Sequence, residues 1–173
     1  MELMRMELRS DERKALDQLV IKKIEDRGVT MKQIGELTYF LQEKYYTNLT
    51  VEDCIENVLA VLKKREVQNA ILTGIQLDEL AEKGLLDYPL QDMVAKDYSL
   101  YGIDEILAFS IVNVYGSIGF TNFGYIDKVK PGVLKDIDIK DDSNNVCHTF
   151  LDDLVGAVAA AAASRIAHSG NFA

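Results

Sequence analysis

No tryptophan occurs among the 173 residues, and proline, cysteine and histidine number two each. Two isolated cysteines, Cys54 and Cys147, cannot build a secreted disulfide scaffold and fit none of the paired zinc spacings. A reducing, cytosolic compartment is the expectation. Long apolar runs are missing too. The longest, Leu154 to Ala163, is ten residues, about half of what a membrane-spanning helix needs, and the first residues lack the apolar core of a secretory signal. Positive charge is short: 19 Lys and Arg face 28 Asp and Glu, a net charge of −9, which argues against nucleic acid as the main partner. There is no phosphate-cradling glycine loop and no serine or cysteine nucleophile motif. These absences describe a soluble cytoplasmic chain, at most peripheral at the inner face of the membrane.

What is present is helical. With 48% of its residues hydrophobic, a chain of this length forms one domain over residues 1–173 with a sizeable core. Leu16, Leu19, Val20 and Ile24 share a helix face that stops near Gly28. Thr30 is an N-cap for Ile34, Leu37, Leu41 and Tyr45, and Thr50 with Asp53 makes a capping box for Val51, Ile55, Val58 and Leu62. A further helix runs from about Glu66 to Lys83, and Pro89 opens a short one. Beyond residue 100 we expect helices near 103–116 and 121–130 with Gly116 and Gly119 in the turn between them, and a loop over 132–146. Thr149 with Asp152 should then cap a last helix reaching about Ala167. That helix is apolar on all sides over Leu154–Ala163, which marks it as central, and Gly156, Ala160 and Ser164 repeat every four residues so that a neighbouring backbone can come close. The fold class is all-α, a single-domain bundle with a small-residue helix surrounded by others. The apolar stripes also allow burial against a second copy, hence a homo-oligomer.

Three acidic sites stand in or beside apolar helices: Asp104-Glu105, Asp127 and Asp152-Asp153. Carboxylates rarely enter a protein interior without a partner, and gathering these five would require a cation. Mg²⁺ is the natural candidate, since it takes oxygen ligands and joins carboxylates to substrate phosphate. Lys128 and Lys130 lie beside Asp127, where a lysine can hold a phosphate oxygen. Carboxylates, a metal and a lysine suit hydrolysis of a phosphate ester. Each piece also has a simpler reading. Asp152-Asp153 and Asp104-Glu105 fit helix first turns, favoured there by the macrodipole, and Asp127 with Lys130 fits a helix-surface ion pair. His148, four residues before Asp152, faces the cluster or merely packs. Cys147 reads as a small buried hydrophobe, and Lys63-Lys64-Arg65 as a solvated helix end. Spacing alone therefore leaves the acids open between a metal site and ordinary helix ends.

Taken in order, Asp104-Glu105, then Phe123-Gly-Tyr-Ile-Asp127-Lys-Val-Lys130-Pro131, then Leu151-Asp152-Asp153-Leu-Val-Gly156 before a small-residue helix, resemble the phosphatidylglycerophosphatase A family. Within it they look closest to a soluble Gram-positive branch that includes proteins described as low-temperature-requirement C. The resemblance covers roughly residues 100–168. It implies a central helix wrapped by others and Mg²⁺-dependent removal of the terminal phosphate of phosphatidylglycerophosphate, a step of phospholipid biosynthesis. It assigns the family's acidic positions to Asp104, Glu105, Asp127, Asp152 and Asp153, its lysine-proline pair to Lys130-Pro131, and a further acidic position to Asp138; the five acids would hold the metal or orient water, with Lys128 or Lys130 on phosphate. Residues 1–99 lack the glycine- and threonine-rich stretch and hydrophobic spans of membrane-bound members, and Gly124 stands where members can carry an arginine. A soluble phosphorylated substrate therefore stands beside the lipid. Direct attack by water and an aspartyl intermediate both fit the residues. The alternative from another class is a helical metal-binding or regulatory module without chemistry.

Overall fold

The computed structural model describes residues 10–138 and 146–170, and among these no strand occurs. The chain forms α1 (Ser10–Asp26), α2 (Met31–Gln42), α3 (Val51–Leu62), α4 (Arg65–Glu82), α5 (Leu90–Ala95), α6 (Ile103–Val112), a 3-10 turn (Asn113–Tyr115), α7 (Gly116–Val129), α8 (Val133–Ile137) and α9 (Leu151–Ser169). Thr30 and Thr50 cap as expected: each hydroxyl accepts from the backbone N–H three residues on, while the side chain of Gln33 or Asp53 accepts the cap residue's own N–H. Such reciprocal caps satisfy two otherwise orphaned donors. Lys63, Lys64 and Arg65 are exposed, as a solvated helix end should be.

The last helix is central. α2, α3, α4, α6, α7 and α8 all pack on α9, and every residue from Ala157 to Ala163 is buried. Backbone approaches it at Ser164, whose hydroxyl donates to the Tyr115 carbonyl at 2.9 Å. Gly156 does not work this way. A Cβ there would meet the side chains of Ile126 and Phe123 at an ordinary 3.6 Å.

The second half departs from the sequence reading in three places. Gly119 lies inside α7, buried, because a Cβ there would stand 3.1 Å from the Val112 carbonyl oxygen. Ile103–Val129 is long and apolar enough to cross a membrane by length and composition, but it folds back on itself. The rings of Phe109 and Phe120, eleven positions apart, lie 5.5 Å from each other, whereas a continuous helix would separate them by about 16 Å. The expected loop over 132–146 contains α8, whose Val133, Leu134 and Ile137 are buried, while 139–145 lie outside the described residues. Finally, Thr149 does not cap α9. Its hydroxyl donates to the Val94 carbonyl at 2.7 Å, and the cap comes from elsewhere.

Two glycines test the packing in opposite directions. A Cβ on Gly74 would lie 2.6 Å from Leu154 Cδ1, 3.0 Å from Phe150 Cβ and 3.1 Å from Leu107 Cδ2. Gly74→Ala should therefore cost about 1–3 kcal/mol through overpacking. Gly124, in mid-helix with nothing within 4 Å of its Cβ position, should gain about 0.5–1 kcal/mol as Ala from helix propensity. Urea unfolding of the two variants checks both signs.

Candidate phosphatase site at the start of the central helix

The site begins with how α9 starts. Phe150 is its N-cap residue and offers no side-chain oxygen. Asp78 of α4, fully buried, supplies it instead. Asp78 accepts the N–H of Phe150 at 3.1 Å, that of Leu151 at 3.0 Å and the Cys147 thiol at 3.5 Å. Burial pushes this carboxyl up to about 7, against the pull of the hydrogen bonds from Phe150 and Cys147. The segment before the helix is tied down by a second network. Arg27 donates through both terminal nitrogens to Glu82, at 3.0 and 2.5 Å, and also to the Cys147 carbonyl at 2.7 Å. Glu82 in turn accepts the Cys147 N–H at 2.9 Å. Cys147 is thus buried as expected, but as a polar link. His148 is held by Ile137, whose carbonyl its Nδ1 meets at 3.0 Å.

On this mount stand Asp152 and Asp153. Lys130, the last-turn cap of α7, brings its ammonium to 2.5 Å from Asp152, 3.1 Å from Asp127 and 3.4 Å from Asp138. Its backbone is left-handed at φ 46°, directly before Pro131. That conformation costs a non-glycine residue on the order of 1–2 kcal/mol and points the chain out of the helix. Burial opposes the charge on Lys130, yet Asp152 and Asp127 hold its pKa above the usual lysine range. Asp152 itself is raised by burial, with Lys130 pulling the other way.

Asp153 and Asp104 complete the group. Burial and the neighbouring charges of Asp152 and Asp127 push Asp153 up to about 8, and Asp104 adds to the same repulsion. Burial and Glu105 push Asp104 up to about 6. Asp104 Oδ1 is buried with no hydrogen-bond partner. Asp104 of α6, Asp127 of α7 and Asp152 and Asp153 of α9 therefore sense each other at one end of the bundle. Glu105 and Lys128 are placed differently: both are exposed. Asp138, half exposed, joins through Lys130.

With the side chains as they stand, no group of three or more acidic, histidine or cysteine residues among the described residues is arranged to hold a metal ion. The chemistry of the donors nevertheless fits a hard divalent cation. They are carboxylate oxygens only, one oxygen of Asp104 is orphaned in the interior, and Asp153 is driven toward its protonated form by burial and by the neighbouring Asp152 and Asp127. Asp78 and the Arg27–Glu82 pair escaped the sequence reading. The signal for Asp78 was legible, since it continues the buried face of Val67, Ile71, Gly74 and Ile75 at steps of three and four.

The chain is 62% identical over 146 residues to the uncharacterized protein YutG of Bacillus subtilis (strain 168), which spans 84% of this chain and 87% of that protein. The structure of a protein of unknown function from Bacillus stearothermophilus superposes with a TM-score of 0.85 at 63% identity, covering 90% of this chain and 95% of that one. The crystal structure of the low temperature requirement C protein from Listeria monocytogenes does so with a TM-score of 0.85 at 59% identity, covering 90% and 96%. The phosphatidylglycerophosphatase A family profile matches residues 27–168, so the likeness takes in the amphipathic helices upstream of residue 100 as well. With most of its length matched, this chain belongs to the phosphatidylglycerophosphatase A family.

Proposed function

We propose that this protein is a Mg²⁺-dependent phosphatase that hydrolyses a phosphate monoester, with phosphatidylglycerophosphate as its substrate. The observation that carries the reading is the Lys130 ammonium set among Asp127, Asp138 and Asp152, beside the buried Asp104 and Asp153. Asp104, Asp127, Asp152 and Asp153 would hold the metal. A bound Mg²⁺ supplies charge neutralisation on phosphate and an acidified water. In the free protein Lys130 pairs with Asp152 at 2.5 Å and keeps a fixed positive charge at the site. With the carboxylates holding a cation, that ammonium would be available to a phosphate oxygen. Burial and its acidic neighbours favour the protonated form of Asp153, which would give up that proton on holding a cation.

Purified full-length protein should release phosphate from phosphatidylglycerophosphate in mixed micelles when Mg²⁺ is present and not when it is chelated. Short soluble phosphate esters form the second arm, since they separate a lipid requirement from the chemistry. No release from any of them would defeat the catalytic reading. Divalent-ion binding by calorimetry without turnover would then favour a binding module.

The raised carboxyls give a pH signature. Asp153, Asp78 and Asp104 each favour the protonated form in the fold, to about 8, 7 and 6 against 3.8 unfolded. The fold binds more protons than the unfolded chain between these limits, so the metal-free protein loses stability as pH rises from about 4 to about 8. Glu82 is shifted downward from 4.5, so its stabilising contribution is lost only as pH falls below that value. Thermal melts of metal-free protein should be higher at pH 5.5 than at pH 8, and saturating Mg²⁺ should close the gap. Below pH 8 the Mg²⁺ affinity should rise toward about tenfold per pH unit, with close to one proton released on binding. Calorimetry in buffers of different ionisation enthalpy measures that proton.

A further inference from the structure

The hairpin of α6 and α7 turns one side to α9 and the other outward. Inward lie Asp104, Ala108, Ile111, Phe123 and Ile126. Outward, Ile103, Ile106, Phe109 and Phe120 are 51%, 60%, 37% and 38% exposed. The most apolar part of Ile103–Val129 is only 28% buried, far less than helices of such composition need in a water-soluble protein. From Ile106 to Ile126 there is not one Asp, Glu, Lys or Arg, in a chain that carries 47 such residues. The polar groups on the same side are short and neutral: Ser110, Asn113, Ser117 and Thr121, all exposed.

We infer that this face docks a second copy of the chain, forming a two-fold dimer through the α6–α7 hairpins. Charge decides the occupant. At −9 two copies repel wherever their acidic surfaces meet, and this face brings them together without placing like charges opposite each other. An anionic lipid surface fits less well on two counts. The uncharged stretch is flanked by Glu105 and Asp127 with Lys128 rather than by a cluster of lysines and arginines. Acyl chains would also strip water from Asn113, Ser117 and Thr121 and return no hydrogen bond. Across a two-fold axis the face meets itself, and hydroxyl and amide groups both donate and accept, so each can bond its own kind. The inference does not depend on the phosphatase reading, because no step of that chemistry uses the outward side of the hairpin.

Sedimentation equilibrium of the full-length protein over about 1–100 μM should give twice the chain mass. Ile106→Glu and Ser117→Arg each place a charge against its own copy at an exposed position, so the fold should persist by circular dichroism and melting. The dimer should weaken by about 100-fold or more. A wild-type monomer across the whole range overturns the proposal, as does a dimer untouched by both folded variants. So does a monomeric wild type that floats with phosphatidylglycerol vesicles while Ile106→Glu does not, since that outcome gives the face to lipid.

Discussion

Replacing Asp152 with asparagine should lower Mg²⁺-dependent phosphate release by about 100- to 1000-fold, or about 3–4 kcal/mol of transition-state stabilisation, with the fold intact. Asp152 is the shortest contact of Lys130 at 2.5 Å and has the acidic Asp153 as its chain neighbour. Asparagine keeps the shape but removes the charge that would bind the cation and that holds the ammonium in place. The stability cost should be small. Losing a carboxylate from the first turn of α9 forfeits about 0.3–1 kcal/mol of macrodipole interaction, and relief of repulsion on Asp153 offsets it. The expected pair of results is a melting curve near wild type and a collapsed kcat. Turnover that survives unchanged would remove Asp152 from the site.

Asp78→Ala should act on the fold instead. It removes the acceptor for two backbone donors at the start of α9 and for the Cys147 thiol. A buried donor left unpaired costs about 1–3 kcal/mol. The loss is partly offset because a carboxyl driven up to about 7 is already strained by burial. The net destabilisation should be about 3–5 kcal/mol, which lowers the melting midpoint by roughly 10 °C for a chain of this size. Asp78→Asn keeps one acceptor oxygen and should lose about half as much. Urea unfolding measures both, and a loss under about 1 kcal/mol for the alanine variant would show that α9 starts without this cap.

How legible these features were in the sequence depends on how far away their causes lie. The caps at Thr30 and Thr50 involve partners three residues away, and both were readable from spacing. The central place of α9 was readable because a helix apolar on every side has nowhere else to go. The cap of α9 was not readable, since its acceptor lies 73 positions upstream of Leu151 and Thr149 offered a local substitute. Gly119 looked like part of a turn, and only the approach of the Val112 carbonyl across the hairpin explains a glycine there. In the site, adjacent acids were grouped as pairs, yet neighbours on a helix point about 100° apart. Asp104 therefore turns inward while Glu105 meets solvent, and Lys128 and Lys130 part in the same way, the second helped by its left-handed backbone. That one ammonium would lie among three carboxylates could not be seen from spacing, because Asp152 comes from another helix.

The unbroken run from Ala157 to Ala163 has a consequence for how the site responds to heat. Six of its seven side chains are methyl groups without rotamers and the seventh, Val158, is stiff at χ1; all are buried, which leaves little slack in which the rod could turn or slip along its axis. Warming the molecule should loosen the outer helices long before it disturbs the rod's register. The two aspartates at its tip would then keep their position while the lysine and acids brought to them from α6 and α7 drift, and the site would lose its shape from the outside inward.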